Sequence, residues 1–183
     1  NYMVRGESMI DLFSAETYMG LETWITANPH WAGIAVFTLS MCESLAVIGL
    51  FIPGLIVMGI LGGLVQAEIL MIVPTLLYAI AGAIAGDGAS YYLGYHFKDH
   101  LPECWPFRRF PRWLERGKEF FNKHGSKSIV IGRFVGPVRP FIPVVAGMMS
   151  MPPRQFLIAN VISAILWAPI YMLPGFGISF FFF

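Results

Sequence analysis

The chain has 183 residues, 56% of them apolar and 13% charged, with a mean hydropathy of +0.65. A soluble domain carries about 25% charged residues, so the composition excludes an ordinary water-soluble domain and fits one built for lipid. The length allows one membrane domain with spans of about 20 residues each, and the net charge of +1 says less than where the charges fall.

In the first thirty residues Arg5 stands against Glu7, Asp11, Glu16 and Glu22, so this end is acidic. Met9, Ile10, Leu12, Phe13, Tyr18, Leu21, Trp24 and Ile25 recur at roughly helical spacing. That predicts an interfacial amphipathic helix within residues 1–30, ended by Asn28-Pro29, with Trp24 and Trp31 at headgroup level. Asn1 is not an initiating methionine, which leaves open a missing N-terminus, and no signal-peptide pattern is present. Residues 31–66 are apolar, broken by Glu43 and by Pro53-Gly54. They read either as two ordinary spans or as a re-entrant hairpin turning at Phe51-Ile52-Pro53-Gly54. The turn has no charged or strongly polar residue, which favours the hairpin. A full span is expected over 69–97, carrying Asp87 within Ala85-Gly86-Asp87-Gly88.

Eight of the twelve Lys and Arg lie in segment 98–127, against Asp99, Glu103, Glu115 and Glu119. The positive-inside rule makes this segment cytoplasmic. Trp105, Phe107, Phe110, Trp113, Phe120 and Phe121 interleave with its charges, as in a helix lying on anionic lipid headgroups; its place between spans argues against nucleic acid. Residues 128–151 are apolar but hold Arg133, Arg139, Gly132, Gly136, Pro137, Pro140, Pro143 and Gly147. Proline removes a backbone donor and clashes with the preceding turn, so no regular helix is expected past Gly136. Broken backbone at membrane depth survives only against protein or a wet cavity, and the segment reads as a second re-entrant hairpin entering from the cytoplasm. The last span is expected over 155–175, with Trp167 near its middle and Pro169 and Pro174 bending its end; the apolar tail leaves open a continuation to 183 and beyond.

The two broken segments share a register. Phe51-Ile52-Pro53 recurs as Phe141-Ile142-Pro143, an offset of 90 that also aligns Met58 with Met148 and Glu43 with Arg133. Paired broken helices in two halves point to a transporter's midplane site. The fold expected is all-α, with two opposed hairpins forming an inverted repeat.

Four ionisable residues fall within apolar stretches: Glu43, Asp87, Arg133 and Arg139. Each costs at least ~2.5–3.5 kcal/mol at mid-bilayer on insertion scales. The guanidinium forks of Arg133 and Arg139 suit phosphate oxygens. Pro53, Gly54, Gly132, Gly136, Pro137, Pro143 and Gly147 would shape the turns and let backbone approach a ligand. Glu43 and Asp87 could carry protons, because burial favours a neutral carboxyl, or serve as counter-ions that pair with the arginines and fix the fold. Cys42 and Cys104 fit neither a disulfide framework nor a metal site. His96 and His100 read as polar residues beside a span, and neither a catalytic triad nor a phosphate-binding glycine loop is present. No cofactor and no enzyme activity are expected.

Glu43-Ser-Leu through Phe51-Ile-Pro-Gly54, Gly86-Asp87 with Tyr91-Tyr92-Leu-Gly94, Gly132-Arg133-Phe134 with Pro137-Val-Arg139, Ala146-Gly147, Phe156, Asn160 and Trp167 together resemble the DedA family, related to eukaryotic VTT-domain proteins. The resemblance implies a bacterial inner-membrane protein with two opposed re-entrant hairpins. It implies transport of undecaprenyl phosphate or other phospholipids between leaflets, with the proton gradient as a driving force. Glu43 matches the family's functional acid, Arg133 and Arg139 its paired essential arginines, and Asp87 its Gly-Asp motif. Leu55 stands where many members carry a further acid, so the resemblance supports phosphate binding more firmly than proton coupling. Met172-Leu-Pro-Gly175 is similar to members fused to a lipid phosphatase. Two other functions are left open, a proton-coupled small-ion or drug antiporter and a non-transporting scaffold for lipid enzymes, as is a homo-oligomer.

Overall fold

The structure, a computed structural model, describes residues 27–46, 48–49, 54–103, 107–109, 111–135 and 139–182, with Gly20 and Thr23. Seven α-helices and no strand occupy the described residues beyond Asn28: α1 Pro29–Ser44, α2 Gly54–Gln66, α3 Ile72–Phe97, α4 Pro111–His124, α5 Lys127–Gly132, α6 Phe141–Met148 and α7 Pro153–Phe182. Two 3-10 turns, Lys98–Glu103 and Phe107–Arg109, lead from α3 towards α4. Nearly all of the helix expected within residues 1–30, the Pro53 turn and the Gly136-Pro137 break lie outside the described residues.

α3 and the Pro153–Gly175 part of α7 are long and apolar enough to cross a membrane. At ~1.5 Å per residue α3 measures about 39 Å, against a hydrocarbon core of about 30 Å. Large apolar side chains point outwards, Val73, Leu77 and Tyr92 from α3 and Ile158, Ile165 and Leu173 from α7. The buried face of α3 is small or polar: Thr75, Ala79, Gly82, Gly86, Asp87, Ser90 and Gly94. This inside-out pattern suits lipid, which gives helices no hydrophobic reason to associate, so close backbone packing and polar contacts must hold them.

α1 packs along α3 through that face. The Ser40 hydroxyl donates to the Ala79 carbonyl at 2.6 Å, and the Ala46 N–H donates to Ser90 Oγ at 2.9 Å. A Cβ at Gly82 or Gly86 would collide with the carbonyl of Phe37 or Met41. Contacts advance together along both helices, so α1 and α3 run parallel. Five residues, Ala67 to Met71, join α2 to α3, which places the start of α1 and the end of α2 at the same end of α3. α1 has 16 residues and α2 has 13, about 24 and 20 Å, each shorter than the hydrocarbon core.

The pairings of the two halves correspond. α1 packs on α3 and α5 on α7; α2 packs on α7 and α6 on α3; α3 meets α7 in the middle. The same set results when α1, α2 and α3 are exchanged for α5, α6 and α7. Each cross-pairing is a glycine contact: Gly94 lies against Val144 and Gly147 against the α3 backbone at Tyr91 and Tyr95, while Gly62 meets Met172 and Gly175. α2 and α6 also end alike. The N–H groups of Ala67, Glu68 and Ile69 donate to the carbonyls of Gly63, Val65 and Leu64, and those of Met149, Ser150 and Met151 donate to Val145, Gly147 and Ala146. These are two Schellman caps, with Glu68 (φ 60°) and Ser150 (φ 56°) in the left-handed position.

The sequence reading needs one correction. Residues past Gly136 do form a regular helix: α6 spans Phe141–Met148, because Pro143 sits in its first turn, where no N–H donor is required. α7 runs through Pro169 and Pro174 to Phe182, the continuation past residue 175 that the apolar tail left open. The apolar face of α4 is turned inwards, with Leu114 buried against Ala46, Phe141, Val144 and Val145, while Arg112, Glu115 and Glu119 face outwards.

Candidate functional site

Glu43 is the second-last residue of α1, and the parallel packing brings it level with Asp87, near the middle of α3. Close approach is possible because the residue before Asp87 is Gly86, where any side chain would push α1 away. Arg133 caps the C-terminal end of α5, and Arg139 lies in the short link that leads into α6. Chain irregularity therefore supplies both guanidinium groups and regular helices supply both acids.

The four side chains form two ion pairs. Arg133 Nη2 donates to Asp87 Oδ2, and Arg139 Nη1 donates to Glu43 Oε1. Glu43, Asp87 and Arg133 are buried and Arg139 is largely so. The sequence left open which acid pairs with which arginine; Glu43 takes Arg139 and Asp87 takes Arg133. Isolated charges in such surroundings cost several kcal/mol each, and pairing offsets that only where the remaining polar atoms also find partners.

Here they do not. Arg133 Nη1, Arg139 Nη2 and Glu43 Oε2 are buried without a hydrogen-bond partner among the described residues, as are Ser44 Oγ, Asn160 Oδ1 and Trp167 Nε1. Ser44 neighbours Glu43 and touches the position of Gly86; Asn160 donates to the Ile84 carbonyl at 3.2 Å, one turn before Asp87. Unsatisfied buried groups are few in native proteins and cost about 1–3 kcal/mol each, and three of these atoms belong to the two ion pairs themselves. A recess lined by Asp87, Ile129, Arg133, Arg139, Ile142 and Pro143 adjoins the pairs. In this conformation it has room for about one water molecule.

Of the expected turn residues, Pro143 lines the recess and Gly132 packs beside Ile142 at its wall. Gly147 is spent on the helix crossing with α3, and Gly54 begins α2. Pro53, Gly136 and Pro137 lie outside the described residues.

Sequence reasoning gave Trp167 and Tyr171 no role. The guanidinium carbons of Arg133 and Arg139 lie 5.2 and 4.8 Å from the Trp167 ring centre, and that of Arg139 lies 5.6 Å from Tyr171. The two rings are 5.4 Å apart. Asn160, Ser163, Trp167 and Tyr171 follow one another at three- and four-residue steps, one face of α7. That spacing was the available signal, hidden by the apolar character of the helix around it.

Residues 46–177 match the VTT domain family. The chain is 38% identical over 156 residues to the inner membrane protein YabI of Escherichia coli K12, a match covering 85% of this chain and 61% of that protein. It is 35% identical over 173 residues to protein DedA of the same strain, covering 91% and 74%. An uncharacterized membrane protein of Buchnera aphidicola is 37% identical over 155 residues, covering 85% and 60%. The chain thus spans about three fifths of the length of several relatives it matches. No solved structure matches it significantly.

Proposed function

The chain belongs to the VTT-domain family of membrane proteins that includes DedA, and from that premise we propose that it carries a lipid phosphate, undecaprenyl phosphate or a phospholipid, across the bacterial inner membrane. One observation carries the reading. Arg133 and Arg139 stand side by side at mid-depth of the helices, each held by one carboxylate and each with an unpartnered N–H beside a recess. A guanidinium prefers two-pronged contact with carboxylate or phosphate. A phosphate reaching the recess would take the place of the acids.

Charge balance then supplies the proton step. Two arginines against Glu43 and Asp87 are neutral together; a phosphate monoester dianion would leave the site at minus two unless both acids took up protons, and a phosphodiester monoanion at minus one unless one of them did. Buried net charge is expensive, so phosphate loading and proton uptake by the acids, two protons for a monoester dianion and one for a diester, proceed together, and protons move with the lipid. The headgroup alone needs shelter, since the tail stays in hydrocarbon. The recess is too small for a phosphate as it stands, so the ion pairs must part to admit one; this conformation is the closed, unloaded state in that cycle.

The short helices α1 and α2, the shared end of the first hairpin, and the pairings that survive exchange of the halves support two re-entrant hairpins in an inverted repeat. The basic segment 98–127 is cytoplasmic in this reading. The test is headgroup translocation in liposomes of defined lipid content. The parent should move a lipid phosphate, faster with the loading side acid, and Arg139→Ala should abolish the movement. Transport of small cations or drugs without any lipid phosphate would replace this reading with an antiporter that alternates protons and substrate on Glu43 and Asp87. Function intact in Arg133→Lys, which keeps charge but loses the fork, would favour a scaffold.

A further inference from the structure

We propose that Trp167 is the third member of the anion site: its indole N–H donates to the bound phosphate, and its ring is the plate against which both guanidinium groups rest. The proposal builds on the phosphate reading of Arg133 and Arg139 and can fail without it.

Trp167 is fully buried in the interior face of α7. Its ring serves Arg133 at 5.2 Å and Arg139 at 4.8 Å at once, within the reach of cation–π attraction. A buried tryptophan normally finds a partner for its N–H, yet Nε1 has none among the described residues. A phenylalanine would give the same plate without that penalty. The unpartnered donors Arg133 Nη1, Arg139 Nη2 and Trp167 Nε1 therefore belong to two guanidinium groups and the one ring that both of them face, and a ligand that takes hydrogen bonds from all three is an oxyanion. A phosphate offers terminal oxygens on several sides, one for each group. The indole adds no charge, so it strengthens the grip without altering the proton balance of the site.

The ring also holds the site together between rounds. When phosphate draws the arginines away from Glu43 and Asp87, the aromatic face stays beside both guanidinium groups and limits how far they part. Trp167 is thus both a binding and a positioning residue.

The experiment uses purified protein in detergent micelles with dodecyl phosphate as probe, and inorganic phosphate in a parallel arm. In a variant whose other four tryptophans, Trp24, Trp31, Trp105 and Trp113, are replaced by phenylalanine, the single 15N-indole signal reports on Trp167. It should move downfield on titration, and Trp167→Phe in the parent should bind the probe about tenfold more weakly, the factor that loss of one hydrogen bond to a charged group produces, with no loss of thermal stability in the unloaded protein. A shift with dodecyl phosphate alone assigns the site to a lipid headgroup, and a shift with both assigns it to phosphate in general. Binding by the parent with an unmoved indole signal and unchanged affinity in Trp167→Phe overturns the role of Trp167 and leaves the arginines standing. No binding of either probe to the parent overturns the phosphate reading itself.

Discussion

Arg133 and Asp87 illustrate what a charge inside this protein costs and what it is kept for. A buried pair adds little net stability over apolar residues of the same size, but removing one partner strands the other. Asp87→Ala should therefore destabilise the fold by roughly 3–5 kcal/mol, read as a lower melting temperature in detergent. The double variant Asp87→Ala/Arg133→Met should recover most of that loss and still fail to bind phosphate. Equal stability of the single and double variants would contradict the assigned pairing. At this scale the sequence was informative about which residues matter and silent about how they pair. A charge in an apolar run stands out by its energy, which is local. The choice of partners, Arg139 for Glu43 and Arg133 for Asp87, depends on how α1, α3 and the link before α6 meet, which no spacing encodes. Trp167 was visible in the family resemblance but its role was not, because an aromatic side chain in an apolar helix carries no energetic cost that says what it does.

Helices here meet through glycine, and the consequences are specific to each position. Gly94 and Gly147 let α3 and α6 cross in backbone contact, while nothing lies within 4 Å of a Cβ at Gly88. Gly94→Leu should force α6 off α3 and cost more than the ~1–3 kcal/mol typical of overpacking, whereas Gly88→Ala should be neutral or gain up to about 1 kcal/mol of helix propensity. Monodispersity on size exclusion and melting temperature separate the two outcomes; a well-behaved Gly94→Leu protein would contradict the crossing. The paired Schellman caps carry a second expectation. Ser150 holds a left-handed conformation that favours glycine, so Ser150→Gly should raise the melting temperature, and no change would argue against the cap. The spans around Asp87 and Trp167 were legible because long apolar runs with few breaks have one solution in lipid. The caps were not, since Glu68 and Ser150 are not the residues that announce such a turn. The proline run misled for a related reason: Pro143 forbids a helix interior but not a helix start.

The arrangement as a whole places a charged centre where α1, α3, the α5–α6 link and α7 converge, with α4 laid across Phe141 and Val145 at the end reached by Ala46. Re-entrant hairpins make a defined demand on access from water. In a background lacking Cys42 and Cys104, Glu115→Cys should react with an impermeant maleimide only from the cytoplasmic side and Met71→Cys only from the opposite side. Ile48→Cys, between α1 and α2, should react from neither. Labelling of Ile48→Cys from the cytoplasm would mean two ordinary spans in place of a hairpin. The correspondence between the two halves was half-visible in the recurring Phe-Ile-Pro triplet. Its fuller expression lies in which helices touch, a property of three dimensions that the amino-acid order does not display.

The exchange of carboxylates for phosphate at Arg133 and Arg139 is tested most directly by an experimental structure of the protein saturated with dodecyl phosphate. The phosphate should lie within hydrogen-bond distance of both guanidinium groups, with Asp87 and Glu43 released from them. Both ion pairs intact, and the headgroup seated elsewhere, would contradict it.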